Sequence, residues 1–105
     1  MNIPIVYYNT VSADRTKPYF IVRVSGMQMI DTAWRDEVAM ALTQLLATRI
    51  VLAGQMPSGG WQVYGEAPLV QEVQRAADAG ILDVLPWQEA TLTVPDTLPR
   101  PLSVE

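Results

Sequence analysis

The stretch Arg49–Ala67, RIVLAGQMPSGGWQVYGEA, decides the fold that we predict for this chain. It contains two short runs of strand-forming residues, Ile50–Gly54 and Trp61–Gly65, separated by a loop with one proline and two glycines. A helical pattern precedes this stretch and another follows it. We therefore predict two short strands, joined by a turn, between two helices.

Two further strands are predicted upstream of this hairpin. Ile3–Tyr8 and Tyr19–Val24 are rich in β-branched and aromatic residues, which favour strands. Pro4 indicates that the first of them lies at a sheet edge, because proline cannot donate a hydrogen bond to a neighbouring strand.

The first helix is predicted over Thr32–Thr48. Asp31 is a suitable N-cap, and apolar residues recur at helical spacing beyond it. An earlier start is the alternative, because Ser25 and Gln28 have the spacing of a capping box.

The second helix is predicted to begin at Pro68 and to end at Gly80. Proline is well suited to a first helical turn, and glycine to the left-handed residue that ends a helix. Ala90–Val94 then alternates apolar and polar residues as a last strand does. Three prolines among residues 95–105 indicate an extended arm.

From Tyr19 onward the predicted order is strand, helix, strand, strand, helix, strand. This order predicts an α+β protein with the ferredoxin-like βαββαβ pattern: an antiparallel sheet with two helices on one face, plus an extra N-terminal strand. The alternative is a pair of ββα halves, since a hairpin precedes each helix. A chain of 105 residues is expected to form one domain, residues 1–94, followed by the proline-rich tail, residues 95–105.

Composition excludes several kinds of chemistry. The chain has no cysteine, which excludes disulfides, thiolate metal sites and thiol nucleophiles, and no histidine, which removes the commonest general base and metal ligand. We therefore predict no catalytic residue, no metal site and no cofactor. The start of the chain lacks the pattern of a signal peptide, and no apolar run is long enough to span a membrane, so we expect a cytoplasmic protein without a membrane partner.

Charge is unevenly distributed along the chain. The net charge of −4 argues against a nucleic-acid partner, because phosphate binding needs clustered lysine and arginine. The C-terminal half is acidic, with only Arg75 and Arg100 to offset Glu66, Glu72, Asp78, Asp83, Glu89, Asp96 and Glu105. This half is interpreted either as a partner surface or as an ordinary solvated surface.

Alternation along the strands divides their residues between two faces of the predicted sheet. One set would lie under the helices: Phe20, Val22, Val24, Leu92 and Val94. The other would share the open face: Tyr19, Ile21, Arg23, Gln62, Tyr64, Glu66, Thr91 and Thr93. From this second set we predict a ligand or partner surface made of Tyr19, Arg23, Gln62, Tyr64 and Glu66. Arg23 and Glu66 would either orient a polar ligand or form a plain cross-strand ion pair.

The stretch GWQVYGEAPLVQEVQRAADAGILDVLPWQEATLTV, residues 60–94, resembles the C-terminal half of small dimeric α/β-barrel proteins. This superfamily includes muconolactone-isomerase-like and YCII-like proteins. The shared features are a strand, an acidic turn, a helix with a Gly-Ile exit and a final alternating strand. The resemblance implies that two sheets pack face to face around a pocket. YCII-like proteins typically carry a histidine–aspartate pair, and this chain has no histidine, so no catalytic role is carried over.

Two functions are consistent with these observations. The first is a small non-enzymatic protein-interaction or regulatory module, which binds a protein partner or a second copy of itself through the open sheet face or the acidic C-terminal half. The alternative is a cofactor-independent, small-molecule-binding dimeric α/β-barrel enzyme, an isomerase or a monooxygenase-like protein. An inhibitor that mimics DNA is a third possibility and would need the acidic residues to cluster on one surface.

Overall fold

A computed structural model describes residues 2–93, which form a five-stranded sheet and three α-helices. The elements in chain order are β1 (Asn2–Val11), β2 (Pro18–Ser25), α1 (Gly26–Met29), α2 (Thr32–Leu46), β3 (Arg49–Gln55), β4 (Trp61–Tyr64), α3 (Ala67–Asp78) and β5 (Gln88–Thr93). A 3-10 turn, Leu82–Val84, links α3 to β5. The predicted proline-rich tail, residues 95–105, lies outside the described residues.

The sheet is mixed, which corrects the prediction of an antiparallel ferredoxin-like sheet. Its strand order is β4-β3-β2-β1-β5, and β2 pairs with β3 in parallel while the other pairs are antiparallel. In the split pattern another strand would lie between the two strands that a crossover helix connects. Here α1 and α2 connect β2 to its direct neighbour, so the two strands run in the same direction side by side.

The two long helices pack on opposite faces of the sheet, which corrects the prediction that both lie on one face. Neighbouring strand residues point to opposite faces, and the core divides in the same way. The α2 side buries Val22, Val24, Ile50 and Leu52 against Trp34, Val38 and Leu42 of the helix. The α3 side buries Tyr19, Ile21, Val51 and Ala53 against Leu69 and Val73. The face that was predicted to be open is therefore covered by α3.

β1 lies inside the sheet, which corrects the prediction that Pro4 marks an edge strand. β1 pairs with β5 from Asn2 to Tyr7, whereas its pairing with β2 begins only at Val6. Pro4 is thus paired on the β5 side alone. A residue without an N–H is tolerated there because no residue of β2 is paired opposite it.

Both predicted helix starts are present. The hydroxyl of Ser25 accepts a hydrogen bond from the Met27 N–H at 3.2 Å and begins the short helix α1. The carboxylate of Asp31 accepts one from the Trp34 N–H at 3.0 Å and begins α2, as predicted. A side-chain acceptor at each start satisfies a backbone donor that the helix leaves free.

The end of α3 confirms the role predicted for Gly80. Its φ of 77° is left-handed, and its N–H donates to the Ala77 carbonyl at 3.0 Å. The Ile81 N–H donates to the Ala76 carbonyl at 2.9 Å, and the two bonds together make a Schellman motif.

Replacing Gly80 by valine is expected to lower the free energy of unfolding by about 1–2 kcal/mol, because a side chain is strained in the left-handed region. No atom lies within 4 Å of the position that a Cβ would take, so the cost comes from the backbone alone. Gly80→Asn should cost less, since asparagine tolerates this conformation. Urea denaturation checks both variants; equal stability of Gly80→Val and the unmodified protein would contradict the assignment.

Candidate functional site

The five residues predicted to form one surface are divided between two faces of the sheet. Tyr19 and Arg23 lie on the α3 side of β2. Tyr64 packs on the α2 side, because it pairs with Leu52, which in turn pairs with Val22. The sequence predicts which residues within one strand share a face. Which residues of different strands share a face is decided by the pairing of β2 and β4 with β3.

Tyr19 is a buried link between β2 and α3. Its hydroxyl donates to the carboxylate of Glu72 at 3.4 Å, and the other oxygen of that carboxylate accepts from the Ala13 N–H at 2.8 Å. Burial and then the charge of Glu72 raise the pKa of Tyr19 to about 12. This arrangement joins the β1–β2 loop to α3 and makes Tyr19 a structural residue.

Stability is expected to fall in alkaline solution as a result of this shift. The folded protein keeps the Tyr19 proton up to a pKa of about 12, whereas the unfolded chain loses it near the ordinary value of 10.0. The contribution of Tyr19 is therefore complete below a pH of 10.0 and declines as the pH rises to about 12. Chemical denaturation across this range should show the decline, and Tyr19→Phe should reduce it; an identical slope for both proteins would contradict the link.

Arg23 lies beside two tryptophans, Trp61 and Trp87, which were not among the residues of the predicted surface. Its guanidinium carbon is 5.2 Å from the ring centroid of Trp61 and 5.7 Å from that of Trp87, which are distances for cation–π contact. Its hydrogen-bond partner is Gln55, at 3.4 Å, rather than the predicted Glu66. Trp61 alternates with Val63 on the covered face, and this apolar alternation was the signal for its burial.

Glu66 lies just beyond β4, where it begins α3, and it contacts two cations. One carboxylate oxygen is 3.5 Å from Lys17 Nζ and the other is 3.3 Å from Arg49 Nε. The groups are partly exposed, and ion pairs of this kind contribute little to stability. Two cations contact one carboxylate, so the local charge is positive.

Tyr64, at the end of β4, contacts two residues of α2. Its hydroxyl donates to the carboxylate of Asp36, and the guanidinium carbon of Arg35 lies 4.5 Å from the centre of its ring. The hydrogen bond to Asp36 is the main cause of a raised pKa for Tyr64. The phenol hydroxyl is the donor in this hydrogen bond.

Tyr64 and Glu66 border a groove between α2 and the β3–β4 edge, which we call the α2 groove. Its volume is about 460 Å³. The lining residues are Asp36, Ala39, Met40, Thr43, Gln44, Arg49, Ile50, Tyr64, Gly65 and Glu66. Of the predicted surface, only these two residues meet there: Tyr19 and Arg23 lie on the other face, and Gln62 is exposed on β4.

A second depression, of about 630 Å³, is formed by the β1–β2 hairpin alone and is lined by Asn9, Thr10, Val11, Ser12, Ala13 and Arg15. The α2 groove differs from it because three separate segments of the chain build it. Its Met40 side chain is 64% exposed and contributes apolar surface to the groove. The α2 groove is thus the candidate functional site.

Within residues 2–93, no group of three or more acidic side chains is arranged to hold a metal ion. The same part of the chain contains no helix with the length and apolar character needed to cross a membrane. Comparisons with protein-family models, with curated proteins and with solved structures found no match.

Proposed function

We propose that this protein is a non-enzymatic interaction module that binds a segment of a partner protein in the α2 groove. The observation that supports this proposal is the combination of an apolar floor with charged ends. Ala39, Met40 and Ile50 supply the apolar surface, and a flexible methionine adapts readily to a partner's side chains. Exposed apolar surface with a polar border is typical of interaction sites.

The charges at the two ends of the groove suggest the chemistry of the partner. At one end Lys17 and Arg49 outnumber Glu66, which leaves an excess of positive charge. At the other end the carboxylate of Asp36 and the guanidinium of Arg35 both contact Tyr64, and their opposite charges offset each other. We therefore expect a partner segment with apolar residues in the middle and an acidic residue towards Arg49.

The α2 groove replaces the open sheet face in this proposal, because α3 packs over the face that the sequence predicted to be open. The acidic C-terminal half supports a partner surface less well. Glu66, Glu72 and Asp83 each contact different groups in different places. The dimeric-barrel enzyme needs a sheet face that is free to meet a second sheet, so no observation favours that alternative. A cytoplasmic location stays a prediction.

Site-specific photo-crosslinking tests the proposed function. A photo-reactive amino acid at position 40 lies in the groove, and one at position 84 is a matched control, since Val84 is 78% exposed but lies in the turn after α3. We expect a protein of the source cells to be crosslinked from position 40 and not from position 84.

The affinity of the captured protein then checks the chemistry of the groove. Met40→Glu is expected to weaken its binding roughly tenfold or more by placing a charge on the apolar floor. Val84→Glu should leave the affinity unchanged. Equal crosslinking from both positions, or equal affinity of both glutamate variants, would contradict the proposal.

A further inference from the structure

β5 forms one edge of the sheet, and its outer side has no strand partner among residues 2–93. Native proteins usually protect such edges with proline, lysine, a bulge or a very short strand. β4 at the opposite edge has only four residues, but β5 has six, QEATLT, with neither proline nor lysine among them. Glu89 is its one charged residue.

The pairing of β5 with β1 fixes which backbone groups face outward. In an antiparallel pair, opposite residues alternate between those that exchange two hydrogen bonds and those that exchange none. Thr91 lies opposite Pro4, which has no N–H, so this pair must be of the second kind. The N–H and C=O of Thr91 therefore point away from β1, and the same alternation turns those of Glu89 and Thr93 outward.

These three residues can pair with the same three residues of a second copy. In a register centred on Thr91, this residue lies opposite its own counterpart, and Glu89 lies opposite Thr93 of the other copy. All three outward-facing residues then have partners, and the two carboxylates stay apart. A register centred on Glu89 would set two like charges opposite each other, which is unfavourable.

We propose that β5 pairs with β5 of a second copy of this chain in an antiparallel arrangement centred on Thr91, which joins two five-stranded sheets into one. This interface is independent of the α2 groove, which borders the opposite edge of the sheet. A dimer of this kind would present two α2 grooves at its far ends.

Sedimentation equilibrium of the full chain tests the interface. We expect a monomer–dimer equilibrium, and we expect Thr91→Pro to weaken dimerisation roughly ten- to hundredfold, because it removes one outward N–H from each copy. The outward direction of this N–H means that proline breaks no bond to β1, and circular dichroism should confirm that the variant is folded. Thr91→Val keeps the N–H and should dimerise like the unmodified chain.

Charge variants test the register without a change in the backbone. Thr91→Lys and Thr91→Glu each set like charges opposite one another and should weaken self-association by roughly fivefold. An equal mixture of the two should form a heterodimer preferentially. The proposal would be overturned by a full chain that stays monomeric at every concentration, by a Thr91→Pro variant with unchanged dimer affinity, or by charge variants that associate no better mixed than alone.

Discussion

Replacing Trp34 by alanine is expected to lower the free energy of unfolding by about 3–5 kcal/mol, as large-to-small changes of buried aromatic residues do. Trp34 is 2% exposed and is the largest of the fully buried side chains, at the centre of the core between α2 and the sheet. Because a domain of this size has a total stability of about 5–15 kcal/mol, the variant should lose a large part of its stability and unfold at a clearly lower urea concentration.

Trp34→Phe and Met40→Ala serve as comparisons in the same helix. The indole N–H of Trp34 is buried without a hydrogen-bond partner among residues 2–93, so phenylalanine removes an unsatisfied donor together with some volume. It should cost clearly less than alanine. Met40 is 64% exposed, and its alanine variant should change stability by less than about 0.5 kcal/mol. Equal losses at positions 34 and 40 in urea denaturation would contradict the described core.

Replacing Gly26 by alanine is expected to destabilise the protein by up to about 3 kcal/mol, the upper end of the range for overpacking. An added Cβ would lie 2.4 Å from the carbonyl oxygen of Gln55 and 2.8 Å from its carbonyl carbon, and both atoms belong to the backbone of β3. The first turn of α1 therefore cannot accept a side chain without moving away from the sheet.

The sign of this change makes the test decisive. In an exposed helix, alanine in place of glycine stabilises by roughly 1 kcal/mol, because glycine is a poor helix former. A stabilised Gly26→Ala variant would thus contradict the close approach of α1 to β3. Gly60→Ala is the matched control in the β3–β4 turn. The nearest atom to its Cβ would be Ser58 Oγ at 3.9 Å, so it should have little effect.

Local signals in the sequence predicted the elements well. Asp31 at the start of α2, the glycine-containing turn between β3 and β4, and Gly80 after α3 each act within a few residues of their own position. N-caps and left-handed helix ends depend on local hydrogen bonds and backbone angles, so their chemistry can be predicted without knowledge of the tertiary structure.

The arrangement of the sheet depends on contacts between distant residues, and there the sequence prediction was wrong. One signal of the correct answer was present in the opening stretch. Ile50–Gly54 is a continuous apolar run, which is typical of a strand that is covered on both faces, and all five of its residues are buried. Interpreting it as half of a hairpin with one open face led to the ferredoxin-like order.

The composition of the candidate site also depends on how distant strands pair. Alternation correctly separated Tyr19 from Phe20 on β2, but it could not show that Tyr64 lies on the Phe20 side. That placement follows from the parallel register of β2 and β3, with Val22 opposite Leu52, and from Leu52 opposite Tyr64. Residues from β3, β4 and α2 meet in the α2 groove only because of this register.

α2 and α3 cover opposite faces of the sheet, and this arrangement places the candidate binding surface in the α2 groove rather than on a sheet face. Nuclear Overhauser contacts between methyl groups in the folded protein test it most directly. We expect the methyl groups of Leu69 in α3 to show contacts with Val51, and those of Leu42 in α2 to show contacts with Leu52. Contacts from Leu69 and Leu42 to the same one of these two β3 residues would place both helices on one face and contradict the account.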